Sequence, residues 1–166
     1  VGGYLHGRLG EAVAKHPPIR LIDLVTHSAG LPREVPRAES PPEDPFATIT
    51  HDAFAKWLET EQLQFEPGSS IAYSNFGFDL LSAALSDAGG MPYADLLDER
   101  ITRPLDMTDT GFDLIEATAD RLMTGHAPDG SPLPDVPSGS VITGSGGLRS
   151  TASDLLRWMQ WHLDHG

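Results

Sequence analysis

The sequence predicts a mainly α-helical chain with a few short strands, on three observations. Apolar residues recur at helical spacing in several separate stretches, and residues that cap helices stand where those stretches begin. Between Thr108 and Leu148 the helical period is lost among glycines and prolines, leaving pieces such as "TDTGF" and "GGLRS" for small strands and long loops. At 166 residues the chain suits one domain with a sizeable core.

Each element follows in order. Leu21, Leu24 and Val25 in "RLIDLVTHSAGLP" share helical spacing, and Gly30 with Pro32 stops that short helix. From Arg33 to Ile49, "REVPRAESPPEDPFATI" is proline-rich, charged and aperiodic, which reads as a surface loop with few apolar anchors. Thr50 suits an N-cap for a helix carrying Phe54, Trp57 and Leu58 inward. Pro67-Gly68 turns the chain and "SSIAY" reads as extended. The next helix, reaching Ala88, aligns Phe76, Leu80 and Ala84, with Leu81 and Leu85 beside them and Gly89-Gly90 at its end. "PYADLLDERI" is a further helix, opening with proline in its first turn and closing near Pro104. Thr151 and Asp154 form a T-x-x-D capping box ahead of Leu155, Leu156, Met159 and Leu163 on one face.

Composition excludes several classes of function. Twenty-four acidic side chains against 11 basic ones leave a formal charge of -13, which repels nucleic acid and anionic membrane surfaces. With no cysteine there is no disulfide framework, zinc-thiolate site or thiol nucleophile. No apolar run approaches the ~20 residues of a membrane span. The start, "VGGYLHGRLG", has neither an initiating Met nor the pattern of a signal peptide, so the chain reads as a cut from something longer.

The stretch "SSIAYSNFGFDLLSAAL" allows two readings. With Ser74 as N-cap, Tyr73 and Phe78 occupy the two positions of a hydrophobic staple and only start a helix. Alternatively, Tyr73 and Asn75, two apart in an extended segment, face one cleft. There a phenol can relay a proton between a serine nucleophile and a leaving amine while the amide holds a substrate carbonyl. Such a relay needs cations nearby, because a free tyrosine titrates near ~10. The chain has only Lys15 and Lys56, and a serine-lysine pair at i, i+3 fails at both, where Ala12 and Ala53 stand.

Four blocks in order, "LIDLVTHSAGLPRE", "PGSSIAYSNFGFDLLSAAL", "ITRPLDMTDTGF" and "GSGGLRSTASDLLRWMQ", resemble the serine beta-lactamase and penicillin-binding-protein family of the class C type. They look most like its periplasmic D-alanyl-D-alanine carboxypeptidase/endopeptidase branch. The resemblance implies that residues 1–166 are the central, mostly helical part of an α/β, beta-lactamase/transpeptidase-like domain. In the family the Ser-x-x-Lys motif precedes a segment like Val1 to Leu9, and a Lys- or His-containing strand motif follows a helix like Thr151 to Leu163. It implies a catalytic role for Tyr73 and Asn75 in acyl transfer on D-Ala-D-Ala peptides of peptidoglycan or on beta-lactams, in the periplasm or otherwise outside the cytoplasm and without metal or cofactor, while Ser74, which alternation turns away from the pair, reads as cap or scaffold. A class C beta-lactamase or an esterase is the alternative on the same scaffold, and a noncatalytic ligand-binding relative is the alternative of another class. Asp106, where relatives usually have glycine, and Ala29, where serine is common, depart from the pattern.

The remaining candidates have plainer readings. "GSGG" lacks the strand-to-helix context of a phosphate loop. It reads as close backbone packing beside the substrate cleft, with Gly146 and Gly147 as substrate-binding positions. His27, at the end of a short helix, reads as bonding to backbone groups. His162 and His165, spaced i, i+3, lack a third ligand, so no metal site is expected. Trp57, Trp158 and Trp161 read as core or its edge.

Overall fold

The structure, a computed structural model, describes residues 1–41, 44–112, 120–133, 135 and 143–165. Helices dominate them: α1 (Gly7–Val13), α2 (Leu21–Val25), α3 (His51–Thr60), α4 (Asn75–Gly89), α5 (Tyr93–Leu97), which continues as a π-helical turn (Asp98–Thr102), and α6 (Ala152–His165). Among the described residues, β structure amounts to two isolated antiparallel bridges, Gly111 with Arg149 and His126 with Pro132. The first of these joins "TDTGF" to "GGLRS", the two pieces that the sequence set aside as possible strands.

Helices α3 and α4 begin where a side chain caps them. Thr50 accepts the Ala53 N–H at 3.1 Å and starts α3, and Ser74 accepts the Gly77 N–H at 2.8 Å and starts α4. At its far end α4 stops on Gly90, whose φ of 66° is left-handed. α1 packs on α3, α2 on α4, and α5 on α4. Their shared core holds Leu24, Phe54, Leu58, Phe76 and Leu80, with the Phe54 and Phe76 rings 4.6 Å apart and Trp57 edge-on to Phe76 at 5.7 Å.

Several details differ from the sequence reading. α1 is an element the periodicity does not single out, because Gly7 and Gly10 interrupt its apolar pattern and His6 supplies no side-chain cap. The loop after Arg33 is better anchored than its composition suggests, since Val35 and Ile49 are buried and Phe46 packs on the core. Val25, at helical spacing with Leu24, is nonetheless exposed, because α2 is only five residues long and presents one side to α4. Pro92 serves as the N-cap of α5 and does not sit inside its first turn. Trp161, read as core or its edge, is exposed on α6 and stacks on Trp158 at 5.7 Å.

The T-x-x-D box is half formed. Thr151 Oγ1 accepts the Asp154 N–H at 3.2 Å, but the Asp154 carboxylate is drawn into longer-range bonds. It accepts from the Asp109 N–H at 2.9 Å, the Thr110 hydroxyl at 2.8 Å and Arg157 Nη1 at 2.8 Å. Asp154 thereby pins the start of α6 to the "TDTGF" block and is the buried residue of that helix, whereas Leu155, Leu156, Met159 and Leu163 are all exposed. Asp106 has a φ of 55°, the left-handed conformation that explains why glycine suits this position.

Candidate active site

The site is built around Ser74, which is buried and fully bonded. Its hydroxyl donates to the Pro32 carbonyl at 2.7 Å while accepting from Gly77, and its N–H donates to His27 Nδ1 at 3.1 Å. A ring nitrogen that accepts carries no proton, so the His27 proton sits on Nε2. His27 itself has a φ of 56°, a conformation costing a non-glycine residue about 1–2 kcal/mol. Its carbonyl accepts the Ala72 N–H at 2.9 Å, which ties the strained turn to the strip leading into α4. The backbone role expected for His27 is therefore what it performs, and the ring has a second role as a platform.

Tyr73 rests on that platform. Its ring centroid lies 4.5 Å from that of His27, and the Arg33 guanidinium carbon lies 5.0 Å from the Tyr73 centroid, a cation–π contact. Phe78 touches His27 from its own position at 5.0 Å. The two staple positions thus bracket a histidine, and Tyr73 remains 55% exposed. Asn75 is half-buried, and its Nδ2 donates to Glu34 Oε1 at 2.6 Å. The backbone N–H groups of Asn75 and Phe76 both donate to the Arg33 carbonyl, at 3.0 and 3.2 Å. Tyr73 thus meets the Arg33 guanidinium and Asn75 the carboxylate of the next residue, Glu34.

The glycine segment reaches the same helix. Ser145 donates its N–H to Asp79 Oδ1 at 2.9 Å, and Asp79 lies one turn after Asn75 on the same face of α4. Gly144 lies flat on the α4 backbone, where a Cβ would come within 2.0 Å of the Phe78 carbonyl oxygen, so no other residue fits. Gly146 and Gly147 continue beyond this contact as exposed residues. Burial of Asp79 pushes its carboxyl up to about 7, with hydrogen bonds from Ser145 opposing that rise and the Glu34 charge adding to it.

Sequence reasoning sought a cation for Tyr73 among lysines and missed Arg33. Lys56 instead lines a groove with Pro36, Ala53 and Trp57 that includes neither Tyr73 nor Asn75. The signal for Arg33 lay in its place directly after the turn that carries His27. Glu34 gave no periodic signal, and Asp79 was visible only as an acid between Phe78 and Leu80. His162 packs edge-on to Trp158 at 4.4 Å, and His165 Nδ1 lies 2.9 Å from the Trp161 carbonyl oxygen, both local contacts of α6.

A mostly helical chain whose Tyr-x-Asn pair stands at the mouth of a buried helix, crossed by a glycine strip, has the helical architecture of the beta-lactamase/transpeptidase fold. A class C beta-lactamase superposes with TM-score 0.77 at 18% identity, over 96% of this chain and 41% of that one, a likeness in fold. The chain belongs to the beta-lactamase family, whose sequence model matches residues 1–166. It is 42% identical over 149 residues to the D-alanyl-D-alanine-carboxypeptidase/endopeptidase AmpH of Escherichia coli K12, covering 88% of this chain and 37% of that protein. The crystal structure of a beta-lactamase/D-alanine carboxypeptidase from Yersinia pestis complexed with citrate matches with TM-score 0.72 and 39% identity, over 86% of this chain and 39% of that one. The human protein named putative beta-lactamase-like 1 is 32% identical over 155 residues, 92% of this chain and 30% of its own length. The chain thus spans well under half the length of these relatives.

Proposed function

We propose that residues 1–166 are the central, mostly helical part of a serine acyl-enzyme hydrolase that cleaves D-Ala-D-Ala peptides of peptidoglycan as a carboxypeptidase/endopeptidase and also takes beta-lactams. The carrying observation is that Tyr73, over half exposed, is held between the His27 ring and the Arg33 guanidinium beside Asn75. A residue that only started a helix would bury its ring against Phe78. The 42% identity to a protein named for this activity supports the choice of substrate class.

In the proposed reaction a serine from a segment outside residues 1–166 attacks the peptide carbonyl, and its proton passes through the Tyr73 hydroxyl to the leaving amine of D-alanine. The C–N bond breaks and an ester to the serine forms. Water then cleaves that ester, returning the proton to serine and releasing the shortened peptide as its carboxylate. Asn75 holds the substrate carbonyl and the lysine partner of the serine, while Gly146 and Gly147 line the substrate strip. The chemistry asks for no metal or organic cofactor. A peptidoglycan substrate places the enzyme outside the cytoplasm, in the periplasm where there is one.

The test uses the complete protein. It should be labelled covalently by a fluorescent penicillin and should turn over a D-Ala-D-Ala peptide faster than a cephalosporin or a simple ester, while residues 1–166 alone should not be labelled. Tyr73→Phe should lower kcat by about 10²–10⁴ with the melting temperature nearly unchanged, since it removes one hydroxyl and keeps the ring. Undiminished turnover with a lower melting temperature would leave Tyr73 as a staple. Failure of the complete protein to be labelled would favour the noncatalytic relative.

A further inference from the structure

Asp79 is a buried acid that the proposed chemistry does not use. It is 2% exposed in the middle of α4, flanked by Phe78 and Leu80, and no ion pair to it occurs among the described residues. Taking a carboxyl out of water without a cation costs several kcal/mol unless its form and its bonds compensate. An apolar residue here would merely extend the row of Phe76, Leu80 and Ala84. The acid instead accepts the backbone N–H of Ser145, a residue 66 positions away.

The geometry assigns Asp79 as a positioning residue, the latch by which α4 holds the Thr143–Gly147 strip in register with Asn75. Three features meet there. Asp79 is four residues after Asn75, so the two side chains share one helix face. The bond from Ser145 fixes the strip immediately before Gly146 and Gly147. Gly144 lies so close to the Phe78 carbonyl that the strip has one way to lie on the helix. A shift of the Ser145 bond would therefore move Gly146 and Gly147 relative to Tyr73 and Asn75 without touching either. The same strip carries on through Arg149, bridged to Gly111, so its far end is held independently. The latch sets the near end, where Ser145 is held by an acid one helical turn after Asn75.

This inference rests on the proposed hydrolase reading for its kinetic consequence, but not for its structural one. The complete protein is compared with Asp79→Asn, which keeps an acceptor oxygen, and Asp79→Leu, which fills a similar volume without one. Amide hydrogen exchange of Ser145 to Gly147 reads the latch directly, whatever the protein catalyses. Asp79→Leu should raise exchange at Ser145 and raise KM for the D-Ala-D-Ala peptide by about tenfold with little change in kcat, the loss expected of one hydrogen bond used in binding. Asp79→Asn should restore both. A purely structural acid would lower the melting temperature and the active fraction while leaving KM alone. If Asp79→Leu does not fold, Ser145→Pro removes the donor from the other side of the contact and should raise KM equally. Unchanged exchange at Ser145, an unchanged KM, or an Asp79→Asn variant as impaired as Asp79→Leu would overturn the latch. A wild-type protein with no peptidase activity but lost protection in Asp79→Leu would overturn the hydrolase reading and keep the latch.

Discussion

Helices α3 and α6 carry similar amphipathic patterns and meet opposite fates. α3 turns Phe54, Ala55 and Leu58 into the core, with Phe54 only 2% exposed. α6 buries Asp154 and leaves Leu156 at 64% and Leu163 at 79% exposed. A periodic apolar face states that a helix seeks a partner; it does not say which one or where. In α3 the partner is α1, which packs on it although α2 and the loop after it lie between them in the chain, whereas nothing among the described residues covers the apolar face of α6. The proposed reading supplies a reason, since in an α/β domain such a face packs against a sheet.

Substitutions can break this comparison at its strongest point. Phe54→Ala should destabilise residues 1–166 by about 3–5 kcal/mol, because it opens a cavity beside Phe76, while Leu156→Ala should change stability by less than about 0.5 kcal/mol. Urea denaturation of the two variants measures both. Equal losses would mean that α6 is buried after all, and its pattern would then carry the same weight as that of α3.

A second prediction concerns the seam between the two regions, where Asp79 on α4 meets the strip that leads to α6. Its carboxyl sits near 7 in the fold, pushed up by burial and by the Glu34 charge, against an ordinary value of about 3.9. The unfolded chain therefore ionises first as pH rises, and the native state loses stability between pH ~4 and ~7. Asp79→Asn cannot ionise. It should match the wild type near pH 4 and gain about 2–4 kcal/mol on it by pH 8, by urea denaturation at each pH. An advantage that does not grow with pH would mean the acid is ionised in the fold throughout.

The smallest expected effect also lies at the junction. Asp106 holds a left-handed φ and its carboxylate stands 4.0 Å from Arg157 on α6, an exposed pair of little consequence. Asp106→Gly should stabilise by about 0.5–1 kcal/mol, the relief of backbone strain less the added freedom of the unfolded chain. A melting temperature that falls on this change would show that the contact with Arg157 matters more than the strain.

Much of the architecture is legible in particular residues. Thr50 and Ser74 announce the starts of α3 and α4 because a hydroxyl acts on backbone within three residues of itself, and Phe76, Leu80 and Ala84 identify the buried row of α4 by their spacing. Tyr73 and Asn75 can be picked out as a pair for the same local reason: two residues apart in an extended strip point one way. Local residues thus specify α2 to α6, the caps of α3 and α4 and the pair at the mouth of α4, but not α1, whose start has no side-chain cap. Local pattern did not contain the company those residues keep. Arg33 over Tyr73, Glu34 against Asn75, His27 bracketed by Tyr73 and Phe78, and Ser145 on Asp79 all join positions about 40 to 70 apart along the chain. The Asp154 carboxylate shows the competition directly, abandoning its local box for Asp109 and Thr110. Capping and periodicity are properties of a few consecutive residues, whereas these contacts exist only once the core of Leu24, Phe54, Phe76 and Leu80 has brought distant backbone together. Long-range packing therefore fixes them, and no local pattern could announce them.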